Sequence, residues 1–117
     1  MQTFGDYVRT RREALKQSDT TFSVRQVAQR IGVEPSFLSK VERNEVPPPG
    51  EEKIVAIARE LSEDSDLLLA MAGKVSTDLK AAIMKRPELF AGLIRELNTM
   101  PDRAVLRLVR EVRDGKW

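Results

Sequence analysis

The reactive groups in this chain of 117 residues are hydroxyls, carboxylates and cations, because it contains neither Cys nor His. That absence removes thiolate nucleophiles, disulfides and Cys/His zinc sites, and no Ser-His-Asp or Cys-His triad can be assembled. The carboxylates fall on helix faces expected to be solvated. No glycine-rich loop is spaced to cradle a phosphate, and no acidic cluster has metal-ligand spacing. Enzymatic activity is therefore not expected, nor is a cofactor or a metal. What the chain offers instead is hydrogen bonding and charge, and its distribution is uneven. Residues 1–43 hold eight Lys or Arg against five Asp or Glu, residues 44–73 two against seven, and residues 74–117 ten against six. A net charge of only +2 thus conceals a basic N-terminal third, permissive for phosphate binding, beside an acidic middle.

The elements that must position these groups read as helices throughout, with no convincing alternating strand. Phe4, Tyr7, Val8, Arg11 and Leu15 give a first helix over 3–16, followed by a polar loop at Gln17–Thr21. Ser23 is a good N-cap for a second helix carrying Val24, Val27, Ala28 and Ile31 inward, and Gly32 stops it. Pro35 fits the first turn of a third helix with Leu38 and Val41 on its inner face, ending at Asn44. Val46-Pro-Pro-Pro-Gly50 is a stiff connector. Residues 51–61 resume a helix, with Glu51 and Glu52 at its positive end, and a polar loop at 62–66 leads to a short helix over Leu67–Ala72 before Gly73. The character changes at 74–76. Helices of about 77–86, 87–97 and 101–113 follow, the last with an apolar stripe of Val105, Leu108, Val109 and Val112 opposite Arg103, Arg107 and Arg110. Arg107–Glu111 and Arg110–Asp114 are spaced as i,i+4 ion pairs, which favours a solvated face for those arginines. The same solvated role is expected of Arg9 and Arg11, with contact to a phosphate backbone as the alternative.

The segment from Ser23 to Arg43 is the informative one. It holds two short helices joined by a tight turn at Gly32-Val33, with the small side chain of Ala28 where they cross. Such a pair leaves the outer face of its second helix as a free ridge, of the right width for a major groove. At these residues the chain resembles the lambda-repressor/Cro-like family of helix-turn-helix regulators. Gly32-Val-Glu-Pro-Ser-Phe-Leu-Ser-Lys-Val-Glu-Arg-Asn44, the Pro-rich connector, Ile54–Leu61 and Leu67–Gly73 follow that family's five-helix pattern in order.

The resemblance covers residues 3–73 and implies an all-α fold: a five-helix DNA-binding domain over 1–73, followed by a short helical segment over 74–117. It implies that Pro35, Ser36, Ser39 and Lys40 face base edges, with Phe37 against a thymine methyl, the backbone or its own domain. It places Ser23, Arg25 and Gln26 at the phosphate-facing start of the second helix, and Arg43 and Asn44 against backbone from the other end. It also implies an ion pair between Arg12 and Glu42. Val24 stands where the family often has a phosphate-binding Gln, so Ser23, Arg25 or Gln26 must serve there. The loop at Gln17–Thr21 is longer than the family's usual turn; Thr20 or Thr21 adds a phosphate contact, or the loop is slack.

A single module of this kind seldom suffices for tight binding, and two copies reading adjacent half-sites solve that. The expected partner is double-stranded DNA, bound by a homodimer whose contacts come from the tail, Trp117 included; the alternative is a tail that caps its own domain. The expected function is a transcriptional repressor acting at a two-fold operator. The alternative function is an antitoxin that neutralises a toxin and represses its own operon. The longest apolar run, Leu67–Ala72, is far short of the roughly 20 residues that span a bilayer, and Met1–Arg12 has no signal-peptide character. A soluble cytoplasmic protein is expected.

Overall fold

The computed structural model describes residues 2–117 as eight α-helices and one 3-10 turn, without strands among them. Two compact units part between Ser76 and Thr77. The first contains α1 (Phe4–Lys16), the 3-10 turn (Thr20–Phe22), α2 (Val24–Ile31), α3 (Pro35–Glu42), α4 (Glu51–Leu61) and α5 (Ser65–Met71). The second contains α6 (Thr77–Lys85), α7 (Pro87–Thr99) and α8 (Asp102–Asp114). No described helix is long and apolar enough to cross a membrane.

Three helices of the first unit are started by a capping side chain. Thr3 accepts from the Asp6 N–H at the start of α1, Ser23 from the Gln26 N–H at α2 and Asp64 from the Asp66 N–H at α5. At the other ends, α2, α3, α4 and α5 all finish in the same way. A left-handed residue follows (Gly32, Asn44, Ser62 and Gly73), and the next N–H reaches back to a carbonyl five residues earlier. Those bonds are Val33 to Ala28, Glu45 to Lys40, Glu63 to Ala58 and Lys74 to Leu69, at 2.8 to 3.0 Å. This is the Schellman turn, which satisfies carbonyls a helix end would otherwise orphan. Lys53 of α4 adds its Nζ to the Ile31 carbonyl at 3.0 Å, closing the end of α2.

One core joins the five helices. Phe4 and Val8, Val27, Ala28 and Ile31, Leu38 and Val41, Ile54, Ile57 and Leu61, and Leu68 and Leu69 are all buried. Ala28 has no exposed surface, as its place between α2 and α3 requires. Beside this core lies a buried ion pair. Arg12 Nε and Nη2 meet the two Glu42 oxygens at 2.7 and 2.8 Å, and Nη1 donates to the Phe22 carbonyl at 3.1 Å. Glu42 is the chief cause of the raised pKa of Arg12.

Several boundaries differ from the periodicity. The loop after α1 is folded: Asp19 accepts from the Thr21 N–H and hydroxyl at 2.9 and 2.6 Å, which holds its carboxyl below the ordinary aspartate range. Phe22 packs on the core, and Arg30 lies over its ring at 5.2 Å. Helix α5 begins at Ser65, because Asp64 caps it inside the expected loop. Helix α7 runs on through Thr99, since Pro101 constrains only Met100, which is extended.

The second unit has a different balance. None of its residues is buried. Leu93, Leu97, Val105, Leu108, Val109 and Val112 of α7 and α8 line an apolar groove of about 330 Å³, with Arg113 at its edge. On α8, Arg107 pairs with Glu111 at 3.5 Å, but Asp114 meets Arg113 at 3.1 Å instead of Arg110. Trp117 is 92% exposed and its indole N–H donates to the Val112 carbonyl, so it caps α8 rather than filling a core.

Candidate nucleic-acid interface

The residues that could meet a ligand lie on α3 and on the start of α2. Leu38, Val41 and Glu42 turn one side of α3 into the domain, which leaves Ser36, Lys40 and Arg43 exposed and Pro35, Phe37 and Ser39 half-buried. Ser36 and Lys40 are four residues apart, hence neighbours on one face. Lys40 has no carboxylate within ion-pair distance among the described residues, so its charge is available to an external partner. Phe37 packs against the core cluster, which accounts for part of its ring and leaves the rest at the surface.

At the start of α2 the polar groups divide their work. The Ser23 hydroxyl accepts from the Gln26 N–H at 3.2 Å and donates to Gln26 Oε1 at 3.0 Å, a capping arrangement that uses its one proton. The Gln26 amide nitrogen, the exposed Arg25 guanidinium and the first backbone N–H groups of α2 are the donors left at that end. Of the three residues weighed for the place that Val24 leaves empty, Ser23 therefore has the least to offer outward. Val24 itself is half-buried against the core.

At the far end of α3, Asn44 is turned toward α1. Its Nδ2 donates to Asp6 Oδ1 at 3.0 Å, and its backbone takes the left-handed turn at φ 61°. Arg43 is held by Glu45, with Nε at 2.8 Å and Nη2 at 2.7 Å from Glu45 Oε2, and its Nη1 donates to Ser39 Oγ at 2.8 Å. This Glu45–Arg43–Ser39 chain is not evident from residue types, although the i,i+4 spacing of Ser39 and Arg43 is its one readable sign. Arg9, Val24, Ser39 and Arg43 line a notch of about 180 Å³ where α1, α2 and α3 converge, beside the buried Arg12–Glu42 pair.

Of the α1 arginines, Arg9 is exposed and Arg11 half-buried, and each carries an ion pair. Arg9 pairs with Glu13 at 3.2 Å, and Arg11 with Glu63 at 2.8 Å. Glu63 also accepts from the Tyr7 hydroxyl at 3.0 Å, and this bond is the main reason the phenol titrates above its ordinary range. Thr20 and Thr21 are exposed, but the Thr21 hydroxyl is committed to Asp19.

Two short helices around a left-handed glycine, the second presenting a polar ridge, are thus set in a five-helix frame. A family model for the helix-turn-helix domain matches residues 3–70. The chain belongs to that family. That family lies within the lambda-repressor-like class of helix-turn-helix domains, the one these residues resemble. The match takes in α1 through α4 and nearly all of α5; the helix-turn-helix is α2 and α3, and α6 to α8 lie outside it. No curated protein and no solved structure gives a significant match to the chain.

Proposed function

We propose that the chain is a sequence-specific DNA-binding transcriptional regulator of the cytoplasm, a repressor that binds a two-fold operator as a homodimer through α3. The observation that carries this reading is the outward face of α3, where Ser36 and Lys40 stand exposed on a helix whose other face is locked into the domain. In this reading Pro35, Ser36, Phe37, Ser39 and Lys40 meet the major groove. Arg25 and Gln26, with Ser23 as the cap that orders them, meet phosphate at the start of α2, and Arg43 and Asn44 flank the far end. Repression follows from occupancy of the groove, with affinity that falls steeply as salt rises.

Lys40→Ala tests it. Lys40 reaching guanine O6 or N7 would give a loss of about tenfold on a duplex selected by the wild-type chain, with a much smaller loss on random duplex. Equal losses on both would limit Lys40 to phosphate, and no enrichment of any sequence by the wild type would overturn the reading.

The apolar groove between α7 and α8 favours a second reading, an antitoxin that holds a helix of a small toxin there while autoregulating its operon. Stoichiometric co-purification of such a protein from the native host distinguishes it from the homodimer.

A further inference from the structure

We propose that Arg43, held by Glu45, fixes Ser39 as a hydrogen-bond donor, so that α3 selects a base edge presenting an acceptor at the position Ser39 faces. This rests on the reading of α3 as the groove-entering helix, and it names a specificity device within that reading.

The arrangement begins with the end of α3. The left-handed turn at Asn44 sends the Glu45 N–H back to the Lys40 carbonyl at 2.9 Å, which anchors Glu45 beside the last turn. One Glu45 oxygen then accepts from two nitrogens of Arg43, Nε and Nη2. With that edge of the planar guanidinium engaged, the opposite edge is aimed, and its Nη1 meets Ser39 Oγ at 2.8 Å, one helical turn back. A free serine hydroxyl reads donors and acceptors alike, because it has one proton and two lone pairs. Beside Arg43 one lone pair is occupied, and the cation opposes the approach of another N–H donor. The proton is what Ser39 has left to give. Guanine N7 and O6, adenine N7 and thymine O4 accept such a proton, whereas the amino group of cytosine competes as a donor. A phosphate oxygen also accepts it, so a test must separate base from backbone.

The 117-residue chain and its Ser39→Ala, Arg43→Ala and Glu45→Ala variants are each equilibrated with a random-core duplex pool, and the bound fraction is sequenced. Circular dichroism checks that each variant keeps its helices. At one position of its motif the wild type should disfavour cytosine about fivefold, the worth of one hydrogen bond. Ser39→Ala should erase that preference at that position alone. Arg43→Ala and Glu45→Ala should flatten the same position, admitting cytosine, while the remaining positions keep their preferences. Losses uniform across all sequences in the Arg43 and Glu45 variants would overturn the proposal, as would an unchanged motif in Ser39→Ala. A wild type that enriches no motif would overturn the DNA-reading assignment itself, and the wild-type sample thereby separates the two failures.

Discussion

Arg12 and Glu42 are the two buried charged residues among the described residues, and they act as one unit. Both N–H edges of the guanidinium are used, one on the carboxylate and one on the Phe22 carbonyl, so neither charge is left uncompensated. Removing one member should cost far more than the pair is worth, because the survivor keeps its desolvation penalty without its counter-charge. Arg12→Met strands a buried carboxylate and orphans the Phe22 carbonyl together. It should lower the unfolding free energy by about 3–5 kcal/mol in urea denaturation. Adding Glu42→Leu to it should restore most of that loss, leaving about 1 kcal/mol for the unpaired carbonyl. A double variant no more stable than Arg12→Met would show that the pair is not the unit of stability here. The pair also ties α1 to α3, so its loss should loosen the helix on which Ser36, Ser39 and Lys40 are displayed.

At the scale of elements, the approach of α1 to the end of α3 is set by a missing side chain. A Cβ on Gly5 would collide with the Val41 carbonyl oxygen and come within 2.7 Å of Asn44 Oδ1. Backbone cannot retreat as a flexible side chain can. Gly5→Ala should therefore destabilise the first unit by about 1–3 kcal/mol, seen as a lower melting temperature, despite alanine's better helix propensity. A melting temperature equal to or above the wild type's would refute this close-approach account. The need for glycine at position 5 was not legible in the sequence, because the atoms it makes room for lie nearly forty residues away. What was legible has local causes: the Ser23 cap, the Gly32 stop, the Pro35 start and the 3.6-residue apolar stripes decide α2 and α3 within a few residues. Asn44 makes the same left-handed stop as Gly32 and Gly73 and is readable as one, since Asn tolerates that conformation; Ser62 makes it too, and its residue type does not announce it. The 3-10 turn has no period to detect, and the pairs Arg11–Glu63 and Arg30–Glu60 join residues far apart in the chain. In the candidate site, the residue types on the α3 ridge were readable. How those residues bond to one another, Ser23 with Gln26 and Arg43 with Ser39 and Glu45, depended on rotamers that only the fold selects.

For the whole molecule, the feature that matters is the exposed apolar surface of residues 77–117. A stretch this short, with none of its residues buried and with Leu89, Leu93, Ile94, Leu106, Val109 and Val112 exposed, lacks the core that small folds need for independent stability. Three short amphipathic helices in this condition gain most by pairing with apolar surface, and in the proposed homodimer a second copy would supply a matching face under two-fold symmetry. Pairing would also place two α3 helices on one duplex, each reading a half-site, and that coupling raises affinity beyond what one module attains. Val109→Glu sets a charge into the α7–α8 groove without touching the first unit's core. Sedimentation equilibrium should find the wild type at twice its 13.2 kDa chain mass and the variant at the chain mass. The variant should bind a two-half-site duplex more weakly than the wild type but a single half-site equally well, since its α3 ridge is unaltered. A variant that remains dimeric, or a wild type that sediments as a monomer, would remove the tail from the binding mechanism.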